Sequence, residues 1–161
     1  MKITVLSQDN FNTTLRLGNV NDSNVEDDKD FFFISINSTK EANEEFSNSY
    51  FKENHSNVLI LHFDDVTEDG NVSPFGDDLG KTKAFSEDQA KQIIEFLNKN
   101  KDKRACMLHC AAGISRSGAV GAFIADYFRV PFAEYKRNNP QIRPNPHVSS
   151  TLNKLFFYDQ I

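Results

Sequence analysis

Ten consecutive residues, His109–Gly118 (HCAAGISRSG), stand between an apolar segment and a run of small residues. Residues 104–109 before them are strand-forming, and residues 117–128 have the composition of a buried helix. A strand, a tight loop and a helix start in this order predict an anion cradle, because loop N–H groups and the helix dipole favour negative charge. The same field would stabilise a thiolate on Cys110, and Arg116 can hold a phosphoryl group through two parallel hydrogen bonds.

Short apolar segments alternate with helical patterns along the rest of the chain. Strands are predicted at residues 3–6, 31–36, 58–63 and 105–109, and helices at 87–97, 117–128, 131–137 and 148–156. Residues 7–30 are rich in Asn and Asp and are predicted to be a solvated loop with room for one short helix. The alternation predicts a single α/β domain over residues 1–161, with a largely parallel sheet of four or five strands flanked by helices.

Composition and charge exclude several classes of protein. The net charge is −5, which argues against a nucleic-acid partner, because affinity for the phosphate backbone needs distributed Lys and Arg. Two cysteines four residues apart form neither a disulfide framework nor a metal site, so we expect a reduced, cytoplasmic location and no cofactor or metal. No secretion signal is recognised, and no apolar run reaches the about 18 residues of a membrane helix, so no membrane partner is expected.

The spacing from Cys110 to Arg116, with His109 before it and Ser117 after it, is that of the protein tyrosine phosphatase signature. The chain resembles the cysteine-based tyrosine and dual-specificity phosphatases, and most closely the small dual-specificity-like group. The resemblance extends over roughly residues 31–158. It implies a phosphotyrosine protein phosphatase fold and hydrolysis of phosphomonoesters through a phosphocysteine intermediate.

The signature residues have distinct expected roles. Cys110 is the expected nucleophile, and Arg116 with the loop amides is expected to hold the three equatorial phosphoryl oxygens. The expected substrate-binding residues are Ala111, Ala112, Gly113, Ile114, Ser115 and Arg116. Gly113 is expected where a side chain would clash with the phosphate. The resemblance further implies that Ser117 assists departure of the thiolate and that His109 orders the loop and lowers the cysteine pKa.

A general acid is needed to protonate the leaving oxygen. The resemblance implies an aspartate just after the strand at 58–63, where Asp64 and Asp65 both stand, and it favours Asp65. The alternative role for either one is a carboxylate that caps the loop. A long loop is predicted over residues 66–84, which are rich in turn-forming Gly and Pro. Asp65 precedes Cys110 by 45 residues, more than is usual in the family, so Glu68–Ala84 is interpreted as an insertion.

The loop composition bears on the substrate. Relatives that act on phosphoinositides carry lysines in the loop, whereas Ala111, Ala112 and Ile114 are neutral, so a phosphorylated protein is favoured, phosphotyrosine first. A phosphoinositide phosphatase, an RNA 5′-phosphatase of the same fold, and a phosphotyrosine-binding module without turnover remain alternatives. Cys106 is interpreted as a buried core residue, and Arg143 and Asn145 are candidates for the rim of the pocket.

Overall fold

Four parallel strands form the centre of the computed structural model, which describes residues 1–39, 49–69 and 82–158. The strands are β1 (Lys2–Ser7), β2 (Phe31–Asn37), β3 (Val58–His62) and β4 (Ala105–Cys110). Their order across the sheet is β1-β4-β2-β3, and each neighbouring pair is parallel. The predicted α/β architecture with a parallel sheet is therefore confirmed.

Helices cover both faces of this sheet. They are α1 (Gln8–Leu17), α2 (Glu87–Lys99), α3 (Arg116–Tyr127), α4 (Phe132–Asn138) and α5 (Pro146–Tyr158), with a 3₁₀ turn at Val25–Asp27. Side chains of β2 alternate between two cores, with Phe32 and Ile34 packed in the larger one and Phe33 in the smaller one beside α1. Burial on both faces is the reason that this strand is continuously apolar.

The segment after β1 is more ordered than its polar composition predicts. Ser7 caps α1, with its hydroxyl accepting a hydrogen bond from the Asn10 N–H at 3.2 Å. Phe11 and Leu15, four residues apart, are both buried, and the Phe11 ring lies 4.4 Å from the imidazole of His109. The prediction of a mainly solvated loop fails here because two apolar residues at helical spacing are sufficient to anchor ten residues.

The helix after Ser86 begins as predicted. The Ser86 hydroxyl accepts from the Gln89 N–H, and the Gln89 side chain accepts from the Ser86 N–H, which completes the capping box. Ile94, predicted to lie in the buried stripe, is only half-buried, and Phe96 is buried instead. Pro131 is the N-cap of α4 rather than its first helical residue.

Among the described residues, the outer edge of β1 is covered by side chains rather than by another strand. The Val5 N–H donates to Asn139 Oδ1 (2.8 Å), and Asn139 Nδ2 donates to the Ile3 carbonyl (2.9 Å). Gln141 Nε2 donates to the Val5 carbonyl (3.0 Å). The segment after α4 thus satisfies the backbone groups of the edge strand.

Part of the long loop predicted over residues 66–84 lies outside the described residues, namely 70–81. Within the part of the chain that the structure describes, no helix combines the length and apolar character needed to cross a bilayer.

Candidate active site

The signature loop, residues 110–116, joins the end of β4 to the first turn of α3. Cys110 is the last residue of β4 and Arg116 the first residue of α3, so the sequence motif coincides with a strand end and a helix N-terminus. Cys110 Sγ lies 3.0 Å from the hydroxyl of Ser117, one residue further into the helix. The predicted strand-loop-helix cradle is therefore present.

The carbonyl oxygens of the loop are held from outside it. Four of them accept hydrogen bonds from the surrounding chain: Ala111 from the Gln8 N–H (3.1 Å), Gly113 from Gln141 Nε2 (3.2 Å), Ile114 from the Arg143 N–H (2.8 Å) and Ser115 from the Asn145 N–H (3.1 Å). Because these oxygens are directed outward, the amide groups are available to the interior of the loop. Ala111, Ala112 and Ile114 have exposed side chains.

The environment of Cys110 favours its thiolate. Burial acts to raise the pKa of the thiol, but the positive charge of Arg116 and the Ser117 hydroxyl act in the opposite direction. The N–H groups of Ser117 and Ile114 also stabilise the negative sulfur, and the pKa of Cys110 falls below its usual value. A lowered pKa is the requirement for a cysteine nucleophile at neutral pH.

The fold supplies a reason for Gly113 that the sequence does not show. Its φ of +73° lies in the left-handed region. A Cβ at this position would lie 2.5 Å from the backbone carbon of Leu6 and 2.6 Å from the Ser7 nitrogen. The close approach of the loop to the end of β1 therefore requires a glycine here, and the clash of a side chain with bound phosphate stays a prediction.

The Arg116 side chain is anchored from one side. It is 8% exposed, and its Nη1 donates to the carbonyl of Phe63, just after β3, at 3.0 Å. Its Nε has no hydrogen-bond partner among the described residues. A buried guanidinium with an uncommitted donor next to a thiolate is suited to bind an oxyanion.

The two candidate acids have separate positions. Asp65 Oδ1 accepts from the hydroxyl of Ser115 at 2.8 Å, which places this carboxylate at the signature loop. Asp64 accepts from the N–H and hydroxyl of Thr39 and from the N–H of Lys83, so it fastens neighbouring chain segments. Asp65 therefore lies at the signature loop, whereas Asp64 caps neighbouring segments of the chain.

Asn145 is a site residue whose role the sequence did not reveal. Its Nδ2 donates to Asp65 Oδ1 at 2.9 Å, and its side chain is almost entirely buried. Its position before α5 was visible in the sequence, but its partner lies 80 residues away. Arg143 contacts the signature loop through its backbone, whose N–H donates to the Ile114 carbonyl.

His109 is fully buried behind the signature loop and is hydrogen-bonded through both ring nitrogens. Nδ1 lies 3.0 Å from the Cys110 carbonyl oxygen, and Nε2 lies 2.7 Å from Ser35 Oγ. Since a carbonyl only accepts, Nδ1 carries the proton and Nε2 accepts from the Ser35 hydroxyl. Burial lowers the pKa of His109 to about 4, so the ring is neutral at pH 7. The role of His109 in ordering the loop stays a prediction, and the hydrogen bond from Nδ1 to the Cys110 carbonyl is the contact through which it would act.

Cys106 is a core residue, as predicted. Its side chain is buried, and this burial raises the pKa of its thiol above the usual range. Four residues of strand separate the Cα atoms of Cys106 and Cys110 by about 13 Å, more than the about 7 Å that a disulfide allows. Both cysteines are free.

One group of potential metal ligands is present among the described residues, outside the signature loop. Asp22, Glu53 and His55 each offer a ligand atom within 4.8 Å of the others. His55 Nε2 is already engaged by Asp22 Oδ1 at 2.8 Å. The group shares no residue with the site around Cys110.

The fold was compared with those of known proteins. Neither a protein-family model nor a curated protein matches the sequence. Among solved structures, the chain is similar to a human tyrosine phosphatase-like serine/threonine/tyrosine-interacting protein, at 19% identity over 81% of this chain and 80% of that one, with a TM-score of 0.50. It is also similar to the PTP-2 phosphatase of Cydia pomonella, at 14% identity over 94% and 84%, with a TM-score of 0.53.

A third similar structure is that of PTPMT1 in complex with PI(5)P, at 16% identity over 99% of this chain and 92% of that one, with a TM-score of 0.50. At these identities the likeness establishes architecture, since one fold hosts several activities. The four parallel strands and their flanking helices are shared with these phosphatase structures. The chain therefore has the fold of the cysteine-based protein tyrosine phosphatases.

Proposed function

We propose that the chain is a metal-independent phosphatase, a tyrosine or dual-specificity enzyme that hydrolyses phosphorylated proteins through a phosphocysteine intermediate. The observation that carries the proposal is the juxtaposition of three groups around one loop. Cys110 has a lowered thiol pKa, Arg116 is buried with a free donor, and Asp65 is held against the same loop. The guanidinium and the amides supply the positive field that the transferring phosphoryl group needs.

In the first step the Cys110 thiolate attacks phosphorus in line with the leaving oxygen. The S–P bond forms while the P–O bond breaks, and the electron pair of that bond moves to the tyrosine oxygen. Asp65 gives its proton to this oxygen, whose conjugate acid has a pKa of about 10 and which leaves poorly as an anion. Arg116 and the loop amides hold the three equatorial oxygens throughout.

In the second step water attacks the phosphocysteine. Asp65, now a carboxylate, takes a proton from the water as the P–O bond forms and the P–S bond breaks. The electron pair returns to sulfur, and the Ser117 hydroxyl, 3.0 Å away, stabilises the departing thiolate. Inorganic phosphate leaves, and the enzyme returns to its starting state.

A phosphorylated protein is the favoured substrate because the loop carries no cation besides Arg116. Substrates with several phosphates bring charge that extra lysines would have to neutralise. Ile114, 37% exposed, offers an apolar contact at the loop. A phosphoinositide remains the second candidate, because PTPMT1, a structural neighbour, has been seen in complex with PI(5)P.

The decisive experiment measures phosphate release in EDTA from a phosphotyrosine peptide. The wild type is compared with Cys110→Ser, and Asp65→Asn with its matched neighbour Asp64→Asn. We expect no turnover in Cys110→Ser and a loss of about 10²-fold or more in Asp65→Asn, against a small effect in Asp64→Asn. Activity that survives in Cys110→Ser would overturn the mechanism.

A substrate panel separates the remaining candidates. Phosphotyrosine and phosphothreonine peptides, a phosphoinositide and a triphosphate-ended RNA are compared by kcat/KM under the same conditions. Preference for the phosphoinositide or the RNA would replace the protein substrate. Binding of phosphotyrosine by the wild type without any release of phosphate would instead identify a binding module.

A further inference from the structure

Asn145 connects the start of α5, the segment of Asp65 and Val66, and the signature loop. It is 4% exposed and stands immediately before α5. Its Oδ1 accepts from the N–H groups of His147 (2.9 Å) and Val148 (3.1 Å), so it caps this helix. Its Nδ2 donates to Asp65 Oδ1 (2.9 Å) and to the Val66 carbonyl (3.3 Å). All of its side-chain hydrogen-bonding groups are therefore engaged.

The orientation of this amide is fixed by chemistry. Two helix N–H groups face one end of the Asn145 side chain, and only the oxygen can accept from them. The NH₂ group must then point at Asp65 and Val66, so the helix cap determines which atom meets the carboxylate. The backbone N–H of Asn145 also donates to the Ser115 carbonyl in the signature loop (3.1 Å).

We propose that Asn145 is a positioning residue that holds the general acid over the signature loop. The inference rests on the proposed function. Asp65 Oδ1 is bound on two sides, by Ser115 Oγ at 2.8 Å and by Asn145 Nδ2 at 2.9 Å. Since Oδ1 accepts from both donors, the proton that the acid transfers is carried by Oδ2. Asn145 thus orients the acid without touching the reacting atoms.

Protonation of the leaving group provides the test, because only poor leaving groups need it. Asn145→Ser keeps a capping oxygen for α5 and removes both amide donors. We expect kcat/KM on phenyl phosphate, which reports only the steps up to departure of the phenol, to fall by about 10–100-fold, part of the usual contribution of a general acid. On 2,4-dinitrophenyl phosphate, whose phenolate leaves without a proton, kcat/KM should change by less than about 3-fold. An equal loss on both substrates would show that Asn145 has a merely structural role and would overturn the proposal.

Two further variants keep the test independent of folding. Asn145→Asp retains the shape and the cap but replaces the donor with a carboxylate, and we expect the same selective loss. Ser86→Ala removes the cap of α2, outside the signature loop. The ratio of kcat/KM on phenyl phosphate to kcat/KM on 2,4-dinitrophenyl phosphate should stay as in the wild type. Unequal substrate losses in Ser86→Ala would mean that loss of any cap produces the effect, which would contradict the assignment.

The double variant Asp65→Asn/Asn145→Ser shows whether the effect passes through the acid. If it does, the double variant is no slower on phenyl phosphate than Asp65→Asn alone. Losses that multiply would refute the inference. Failure of the proposed function is distinguishable, because the wild type would then show no hydrolysis that depends on Cys110.

Discussion

Replacing Gly113 with alanine tests the packing of the signature loop against β1. The substitution adds one methyl group at a residue with φ of +73°, which costs a non-glycine residue about 1–2 kcal/mol. The new Cβ would lie 2.5 Å from the Leu6 carbonyl carbon, and ordinary contact begins at 3.4 Å. The loop and the strand must therefore separate by about 0.9 Å, and overpacking of this kind costs about 1–3 kcal/mol.

These effects predict a loss of about 2–5 kcal/mol in the free energy of unfolding. They also predict a fall in kcat/KM of about 10²-fold, the usual consequence of misplacing a catalytic group by 1 Å. Urea unfolding and hydrolysis of an aryl phosphate measure the two quantities on the same preparation. Gly18→Ala is the matched control, because a Cβ there meets its nearest atom at 3.4 Å and the φ of Gly18 is −81°.

The two measurements distinguish the structural explanation from the one based on ligand binding. If Gly113 were needed only to admit phosphate, the alanine variant would bind substrate weakly and unfold like the wild type. An unfolding free energy within about 0.5 kcal/mol of the wild type would therefore refute the packing argument. A comparable loss in Gly18→Ala would show that the method responds to any added methyl group.

Three further predictions concern protonation and packing. Burial lowers the pKa of His109 from 6.5 to about 4, so between these pH values the unfolded chain binds a proton that the folded chain does not, and the free energy of unfolding should rise by about 3 kcal/mol from pH 4 to 6.5. Urea unfolding of the wild type and of His109→Gln measures this rise, and an equal dependence of the unfolding free energy on pH in the two proteins would contradict the prediction. Ser117→Ala removes a hydroxyl that stabilises the thiolate, so the pKa of Cys110, followed by the pH dependence of alkylation with iodoacetamide, should rise; an unchanged alkylation profile would count against this role. In Gly121→Ala the added Cβ would overlap the buried Tyr135 hydroxyl, so thermal unfolding should report a loss of about 1–3 kcal/mol, and an unchanged midpoint would show that the ring can move freely.

The features that could be predicted are those encoded by neighbouring residues. The apolar runs of β2 and β3 are continuous because both faces of a central parallel strand are buried. The signature loop was recognisable because Cys110, Arg116 and Ser117 lie within eight residues, and a strand end and a helix start bring them together without help from distant parts of the chain.

The features that could not be predicted depend on contacts between distant residues. The sequence predicts Asn145 only as a candidate for the rim of the pocket, and only the fold brings it to Asp65. The constraint on Gly113 comes from the backbone of β1, which leaves no trace in the loop sequence. For α1, the frequent Asn and Asp concealed a helix whose buried face consists of Phe11 and Leu15.

The covering of β1 by Asn139 and Gln141 has a consequence for biosynthesis. β1 is made before the rest of the sheet, but its paired strand ends at Cys110 and its edge is completed by side chains about 135 residues later. At about 5–20 residues per second, the ribosome needs about 5–20 seconds to reach Cys110 from the end of β1. During that interval Ile3 and Val5 have no sheet to join. The nascent chain therefore exposes an unpaired apolar strand that can associate with other chains, and a holding chaperone would prevent this association.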